Sequence, residues 1–173
     1  MGRCLIIANQ TLGGERLDDA VRGCIARDVD EFYVVVPVTP VEYEAAGWTG
    51  GFSVAEGGRL PPEETEQARA AMEEHARRQE AAHEEARGRA QDRLAQMVDK
   101  IYAAGGQAEG VLGAADPAEA AKAVLGHQSF DEVIVSTLPV GLSRWLKMDL
   151  PHRVARMTDA PVTTIEAKPD EGA

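Results

Sequence analysis

The sequence predicts an α/β fold with a doubly wound, mostly parallel five-stranded sheet flanked by helices and interrupted by a long charged helical insertion. Apolar runs of strand length alternate with helical patterns along the chain, and most of these runs are apolar at nearly every position. Such runs are typical of strands that are covered on both faces, as in a parallel sheet. Their alternation with helices implies right-handed crossover connections.

The five predicted strands are short segments rich in β-branched residues. They span residues 4–8, 32–38, 108–113, 132–136 and 162–166. The third is weakened by Gly110, because glycine loses much conformational freedom in a strand, and the fifth is more polar than the others.

Helical spacing appears between these strands. In residues 15–28 the apolar side chains fall on one stripe. Asp116 followed by Pro117 is a start signal for a helix that ends at Gly126. Residues 151–158 begin with proline and are predicted to form a short helix before the last strand.

The middle of the chain is predicted to be a flexible loop followed by a long helix. Residues 39–62 are rich in glycine and proline, whereas residues 63–104 are dominated by alanine, glutamate and arginine, which favour helix. We expect the last turns of this helix to pack on the sheet and its first turns to project into solvent, with Gly88 as a possible break. The predicted core stripe consists of Leu94, Met97, Val98 and Ile101.

The composition indicates a single acidic domain. The chain has 173 residues and a net charge of −11, so residues 1–173 are expected to form one domain with a disordered tail at 168–173. Nucleic acids and acidic membrane surfaces require a basic face and are excluded as partners. One anionic small ligand held by local donors is not excluded.

No apolar run approaches the roughly 20 residues of a membrane span, and the N-terminus lacks the pattern of a signal peptide. These features predict a cytoplasmic protein.

Cys4 and Cys24 are expected to be buried, reduced thiols. No cysteine and histidine spacing typical of zinc is found, which predicts that the chain has no metal site.

Candidate ligand-binding residues lie where the predicted strands end. In a doubly wound sheet, ligands bind beyond the carboxyl ends of the strands. The first strand ends at Ala8, Asn9 and Gln10, and the second strand ends at Val36 and Pro37.

The segment after the fourth strand has the composition of a phosphate-binding loop. Ser136 and Thr137 offer hydroxyl donors, Gly141 permits close approach of the backbone, and Arg144 adds a charge-assisted donor. Amides near Ser143 would open a helix that favours an anion. An ordinary strand-to-helix turn with Ser143 as a helix cap explains the same residues. The candidates are Ser136, Thr137, Pro139, Gly141, Ser143 and Arg144.

Several local matches resemble the universal stress protein family, over about residues 3–38 and 94–167. They are "CLIIANQ", "GVLGAADPAEAAKAVL", "FDEVIVST" and "PHRVARMTDAPVTTI". The resemblance implies a homodimeric, cytoplasmic α/β domain. Some members of the family bind ATP or AMP, so the resemblance makes ATP or AMP, with or without magnesium, the candidate ligands. It places Asn9 at the position that contacts ribose.

The family's phosphate motif, Gly-x2-Gly-x9-Gly-Ser/Thr, is replaced in this chain. Val135, Leu138 and Met148 stand at the glycine positions and Asp149 at the hydroxyl position. The loop from Ser136 onward is then interpreted as a substitute, in which hydroxyls and an arginine take the place of glycine amides.

These observations favour a regulatory module that binds an adenine nucleotide or another phosphorylated small ligand. The alternative is a dimeric interaction protein of the same fold that binds no nucleotide and acts through its 63–104 helix. An enzyme is less favoured, with slow nucleotide hydrolysis as its most plausible activity, because no poised acid–base pair is evident. A homodimer is expected to form through the 162–166 strand, since an uncovered edge strand invites pairing.

Overall fold

The computed structural model describes residues 1–8, 11, 12, 14–39, 62–138 and 149–166, without the side chains of residues 62–65. The predicted loop at 39–62 lies outside these residues except for its two ends, and so does the predicted tail at 168–173. Within the described residues, no helix is long and apolar enough to cross a membrane.

Five parallel strands form one sheet in the spatial order β3-β2-β1-β4-β5. The strands are β1 (Gly2–Ile7), β2 (Val29–Pro37), β3 (Gln107–Gly113), β4 (Glu132–Thr137) and β5 (Val162–Glu166). The predicted doubly wound five-stranded sheet is confirmed, and all of its pairings are parallel.

Helices cover both faces of the sheet. They are α1 (Glu15–Ala26), α2 (Pro62–Ala103), α3 (Pro117–Leu125) and α4 (Leu150–Ala155). Asp116 caps α3 as predicted, because its Oδ1 accepts a hydrogen bond of 2.8 Å from the Ala118 amide.

Alternation of side chains along the strands divides the core into two layers. Ile6 of β1 and Ile134 of β4 face α1 and α2, whereas Leu5 and Val135 face α3 and α4. This period of two is expected for strands that are buried on both faces. β1 lies at the centre of the sheet, where its residues from Cys4 to Ile7 are completely buried.

Helix α2 is continuous through Gly88, so the predicted break is wrong. The glycine faces open space, with no heavy atom within 4 Å of the place where a Cβ would stand. Glycine within a helix costs only about 1 kcal/mol relative to alanine, which is too little to interrupt a helix of strong helix formers.

The last turns of α2 pack on the sheet, and its earlier turns are exposed, as predicted. The predicted core residues Met97 and Ile101 are fully buried, and burial extends back to Ala90 and Ala86. All side chains from residue 66 to residue 81 are exposed.

Gly110 supports β3 instead of weakening it. A Cβ at this position would lie 2.4 Å from Leu94 Cδ1 and 2.8 Å from the Val34 carbonyl oxygen. The absence of a side chain therefore lets α2 approach the sheet closely over β3.

Candidate functional site

The strand order creates a switch point between β1 and β4. From β1 the chain passes to β2 and β3 on one side, and it then returns to β4 on the other side of β1. The connections after β1 and after β4 therefore leave the sheet in opposite directions. In open α/β sheets this divergence produces a crevice outside the carboxyl ends of the strands, where ligands bind.

Buried hydroxyl groups concentrate at this switch point. Thr11 follows β1, and Ser136 and Thr137 end β4. Among the described residues these three are the only buried ones with polar side chains. Burying a hydroxyl costs free energy unless it is hydrogen-bonded. It therefore matters whether each of these three hydroxyls has a hydrogen-bond partner.

Two of the three hydroxyls donate hydrogen bonds to backbone carbonyls. Thr11 Oγ1 donates to the Ser136 carbonyl at 3.0 Å, and Thr137 Oγ1 donates to the Leu138 carbonyl at 3.0 Å. The first of these bonds ties the turn after β1 to the end of β4. It therefore fixes these two segments relative to each other at the switch point.

Ser136 Oγ has no hydrogen-bond partner within the described part of the chain, although the residue is only 1% exposed. Ser136 lies on the same face of β4 as Ile134, which is the face covered by α1. Buried hydroxyl groups without a hydrogen-bond partner are uncommon in folded proteins.

The N-terminus of α1 lies after β1 on the same face of the sheet. Its N-cap residue, Gly14, provides no side-chain hydrogen bond to the first turn. The first N–H groups of a helix have no partner within the helix and attract anions. Glu15 and Asp18 in the first turn oppose this attraction, but Lys100 Nζ lies 2.9 Å from Asp18 Oδ2 and compensates one of the two charges.

Charged groups on the other face of the sheet pair with each other. Arg153 Nη2 lies 3.7 Å from Asp116 Oδ2, and Asp149 is hydrogen-bonded to His152. Within the described residues no group of three or more histidines, cysteines, aspartates or glutamates is arranged to hold a metal.

The predicted site residues differ in their location and in what their side chains can contribute. Ala8 and Val36 are fully buried, and the Ala8 amide donates to the Val35 carbonyl at 3.2 Å. Pro37 is also buried, at the end of β2. These three can form a wall of the site but offer no polar side chain, whereas Ser136 and Thr137 lie at the switch point. The other candidates, Asn9, Gln10, Pro139, Gly141, Ser143 and Arg144, lie outside the described residues.

Thr11 follows the first predicted strand, but the sequence does not single it out as a site residue. Its role depends on the hydrogen bond to Ser136, 125 positions along the chain. The only signal in the sequence is a threonine shortly after an apolar strand, which is also common in ordinary turns.

No family model and no curated protein matches the chain. Among solved structures, a universal stress protein from Archaeoglobus fulgidus is similar, with a TM-score of 0.53 and 13% sequence identity over 96% of this chain and 94% of that one. The chain has the universal stress protein fold. The resemblance seen in the sequence is thus confirmed for the fold.

Two further universal stress protein structures match with lower TM-scores, each at 15% identity and over 96% of this chain and 98% of the other. One is a universal stress protein in complex with cAMP, with a TM-score of 0.48. The other is the universal stress protein from Archaeoglobus fulgidus in complex with dAMP, with a TM-score of 0.49.

Proposed function

We propose that this protein is a regulatory module that binds an adenine nucleotide or another phosphorylated small ligand at the carboxyl edge of its sheet. The observation that carries the proposal is the buried Ser136 Oγ, which has no partner among the described residues and lies at the switch point between β1 and β4. The universal stress protein fold supports the placement of a ligand at this edge.

A phosphate oxygen suits this position for two physical reasons. A hydroxyl donates a short, strong hydrogen bond to an anionic oxygen, and the N-terminus of α1 on the same face favours negative charge. Leaving a buried donor unsatisfied costs about 1–3 kcal/mol. A ligand that accepts from Ser136 recovers this free energy on binding.

Because the net charge of the chain is −11, the attraction of an anionic ligand has to come from positive groups close to the site. In this proposal Arg144, eight positions after Ser136, supplies the positive charge, and magnesium can lower the repulsion between the acidic protein and a triphosphate. Asp149 stands where the family motif has a hydroxyl, which favours AMP or a magnesium complex over free ATP.

The test is calorimetric titration of ligand-free protein with AMP, with ATP and with inorganic phosphate, each with and without magnesium. We expect micromolar binding of at least one nucleotide, weakened about tenfold by Ser136→Ala, since a lost charge-assisted hydrogen bond costs roughly 1.5 kcal/mol. Arg144→Ala should weaken binding further. Ser129→Ala is the matched control, because Ser129 is exposed before the start of β4, at the opposite end of the strand.

Absence of binding at millimolar nucleotide would contradict the proposal. An equal loss of affinity in Ser136→Ala and Ser129→Ala would contradict the assignment of the site, because only Ser136 lies at the crevice.

We also propose that two copies of the chain associate through β5. This strand lies at one edge of the sheet, and Thr163 and Thr164 on it are exposed. An edge strand presents unpaired N–H and C=O groups, which a second copy can satisfy. Sedimentation velocity should give the mass of a dimer, and a monomer mass at tens of micromolar protein would contradict the proposal.

One observation favours the alternative function, an interaction protein that acts through α2. The described side chains of residues 66–81 are all exposed, and they include Met72 at 75% exposure. Most helical stability in proteins comes from tertiary packing, which these exposed turns lack, so a partner that covers them would stabilise them. Binding of a partner protein that Met72→Glu abolishes, together with no nucleotide binding, would favour this function over the first.

A further inference from the structure

A second cluster of reactive side chains lies at the opposite, amino end of the sheet. Cys4 is near the start of β1 and Cys24 is in the last turn of α1; both are buried in the same apolar layer. Cys4 is the register partner of Glu132 on the neighbouring strand β4. The Cys24 thiol donates to Glu132 Oε2 at 3.6 Å. Both thiols therefore lie in one buried layer beside the same carboxylate.

Charged groups make the two thiols chemically different. Arg27 Nη2 lies 3.5 Å from Cys24 Sγ and 3.0 Å from Glu132 Oε2. The neighbouring Cys4 thiol and the Arg27 guanidinium lower the pKa of Cys24, while burial and the Glu132 carboxylate oppose them. The neighbouring Cys24 thiol and burial raise the pKa of Cys4. Because Arg27 donates directly to Cys24, the thiolate form is better stabilised at Cys24 than at Cys4.

We propose that Cys4 and Cys24 form a reversible intrachain disulfide when the protein meets a hydroperoxide, with Cys24 as the attacking thiol and Cys4 as the resolving thiol. The proposal stands on the burial of both thiols in one layer beside Glu132 and on the contacts of Arg27 and Glu132 with Cys24. It is independent of ligand binding at the carboxyl edge.

The reaction balances with hydrogen peroxide as the oxidant. The Cys24 thiol transfers its proton to Glu132, and the thiolate attacks one peroxide oxygen. The S–O bond forms as the O–O bond breaks, and the departing hydroxide takes the proton from Glu132 to give water. Cys4 sulfur then attacks the Cys24 sulfenic acid, the S–S bond forms, and the hydroxyl leaves with the Cys4 proton as a second water.

The second step requires the two sulfurs to approach to about 2.05 Å. Both thiols are buried in the same layer of the core, on the side of the sheet that α1 covers. Cys24 lies at the end of α1, where the helix is followed by Arg27 and Asp28, and helix ends open more readily than helix centres. Hydrogen peroxide is small enough to enter through such an opening.

The test is to treat the native protein with hydrogen peroxide, alkylate it under denaturing conditions and measure its intact mass. We expect both thiols to disappear with the loss of two hydrogen atoms in a monomeric chain, and dithiothreitol to restore them. Cys4→Ser should trap a sulfenic acid on Cys24, detected as an adduct with dimedone, whereas Cys24→Ser should leave Cys4 unmodified at the same exposure.

Arg27→Gln tests the role of the guanidinium, and Arg22→Gln is its matched control on the same helix, where Arg22 pairs only with Asp19 among the contacts described. Arg27→Gln should slow oxidation about three- to tenfold, because the thiolate fraction at neutral pH falls tenfold for each unit by which the pKa rises. Arg22→Gln should leave the rate unchanged.

Two outcomes would overturn the proposal. One is a native protein whose two thiols remain free while its exposed methionines are oxidised. The other is an oxidation rate that equals the rate of global unfolding, determined from urea denaturation, and that is the same in the Arg27 and Arg22 variants. Two ordinary core cysteines would behave in this way.

Discussion

Replacing Ser136 by alanine is expected to stabilise the ligand-free protein, although the residue is buried at the end of a strand. Its hydroxyl has no partner among the described residues. Burying such a hydroxyl costs about 1–3 kcal/mol, and removing one oxygen forfeits a few dispersion contacts. The net change should be an increase of about 1 kcal/mol in the free energy of unfolding, which corresponds to roughly 2–4 °C in Tm for a chain of this size.

Thr11→Val is the matched comparison, because it removes a hydroxyl from the same edge with the opposite expected sign. Thr11 Oγ1 donates to the Ser136 carbonyl at 3.0 Å, and both residues are buried. Losing this bond should lower the free energy of unfolding by about 1–2 kcal/mol. Urea denaturation of both variants measures the two changes, and an unchanged m-value verifies that the unfolded states are comparable.

A decrease of 1 kcal/mol or more in Ser136→Ala would refute the reasoning. It would mean that the Ser136 hydroxyl already has a partner in the ligand-free protein, and the proposed site would lose its main support. The same sign in both variants would have the same consequence.

Three further substitutions test the packing and capping inferred for the helices, each measured by thermal and urea denaturation. Gly88→Ala should stabilise the protein by about 0.5–1 kcal/mol, because this helical glycine faces open space; a loss of stability would contradict the continuous α2. Gly110→Ala should destabilise it by about 1–3 kcal/mol, since the new Cβ would lie 2.8 Å from the Val34 carbonyl oxygen; an unchanged stability would contradict the close approach of α2. Asp116→Ala should cost about 1 kcal/mol through loss of the cap on the Ala118 amide, and Asp116→Asn, which keeps a capping oxygen, should recover most of this.

The sheet was predictable from the sequence because its strands are buried on both faces. Continuous apolar runs are typical of strands that are covered on both faces, and their alternation with helices favours parallel crossovers. Gly110 was misread as a weakness, because the reason for the glycine is the approach of Leu94 from a distant helix. A contact of this kind leaves no local pattern in the sequence.

The position of the candidate site could be predicted from the sequence, but the hydrogen bonds of its hydroxyl groups could not. The rule that ligands bind at the carboxyl ends of parallel strands directed attention to Ser136 and Thr137. It does not distinguish a hydroxyl that is occupied, such as Thr137, from one that is free, because this depends on the Leu138 carbonyl and on backbone geometry. Likewise, the burial of Cys4 and Cys24 was expected, but their placement in one layer beside Glu132 follows from the packing of α1 on the sheet.

Strand β4 carries residues that take part in both proposals. On its face toward α1 it carries Glu132, Ile134 and Ser136, so this covered face is apolar in the middle and polar at both ends. Stability alone would favour apolar side chains throughout such a face, and departures from local consistency are expected at functional sites. The two ends are about 13 Å apart at the rise of a β-strand, which is beyond the range where substitutions usually couple. Effects of variants at Ser136 on binding and at Cys24 on oxidation should therefore add, and a strong coupling between them would mean that α1 moves as one body over the whole strand.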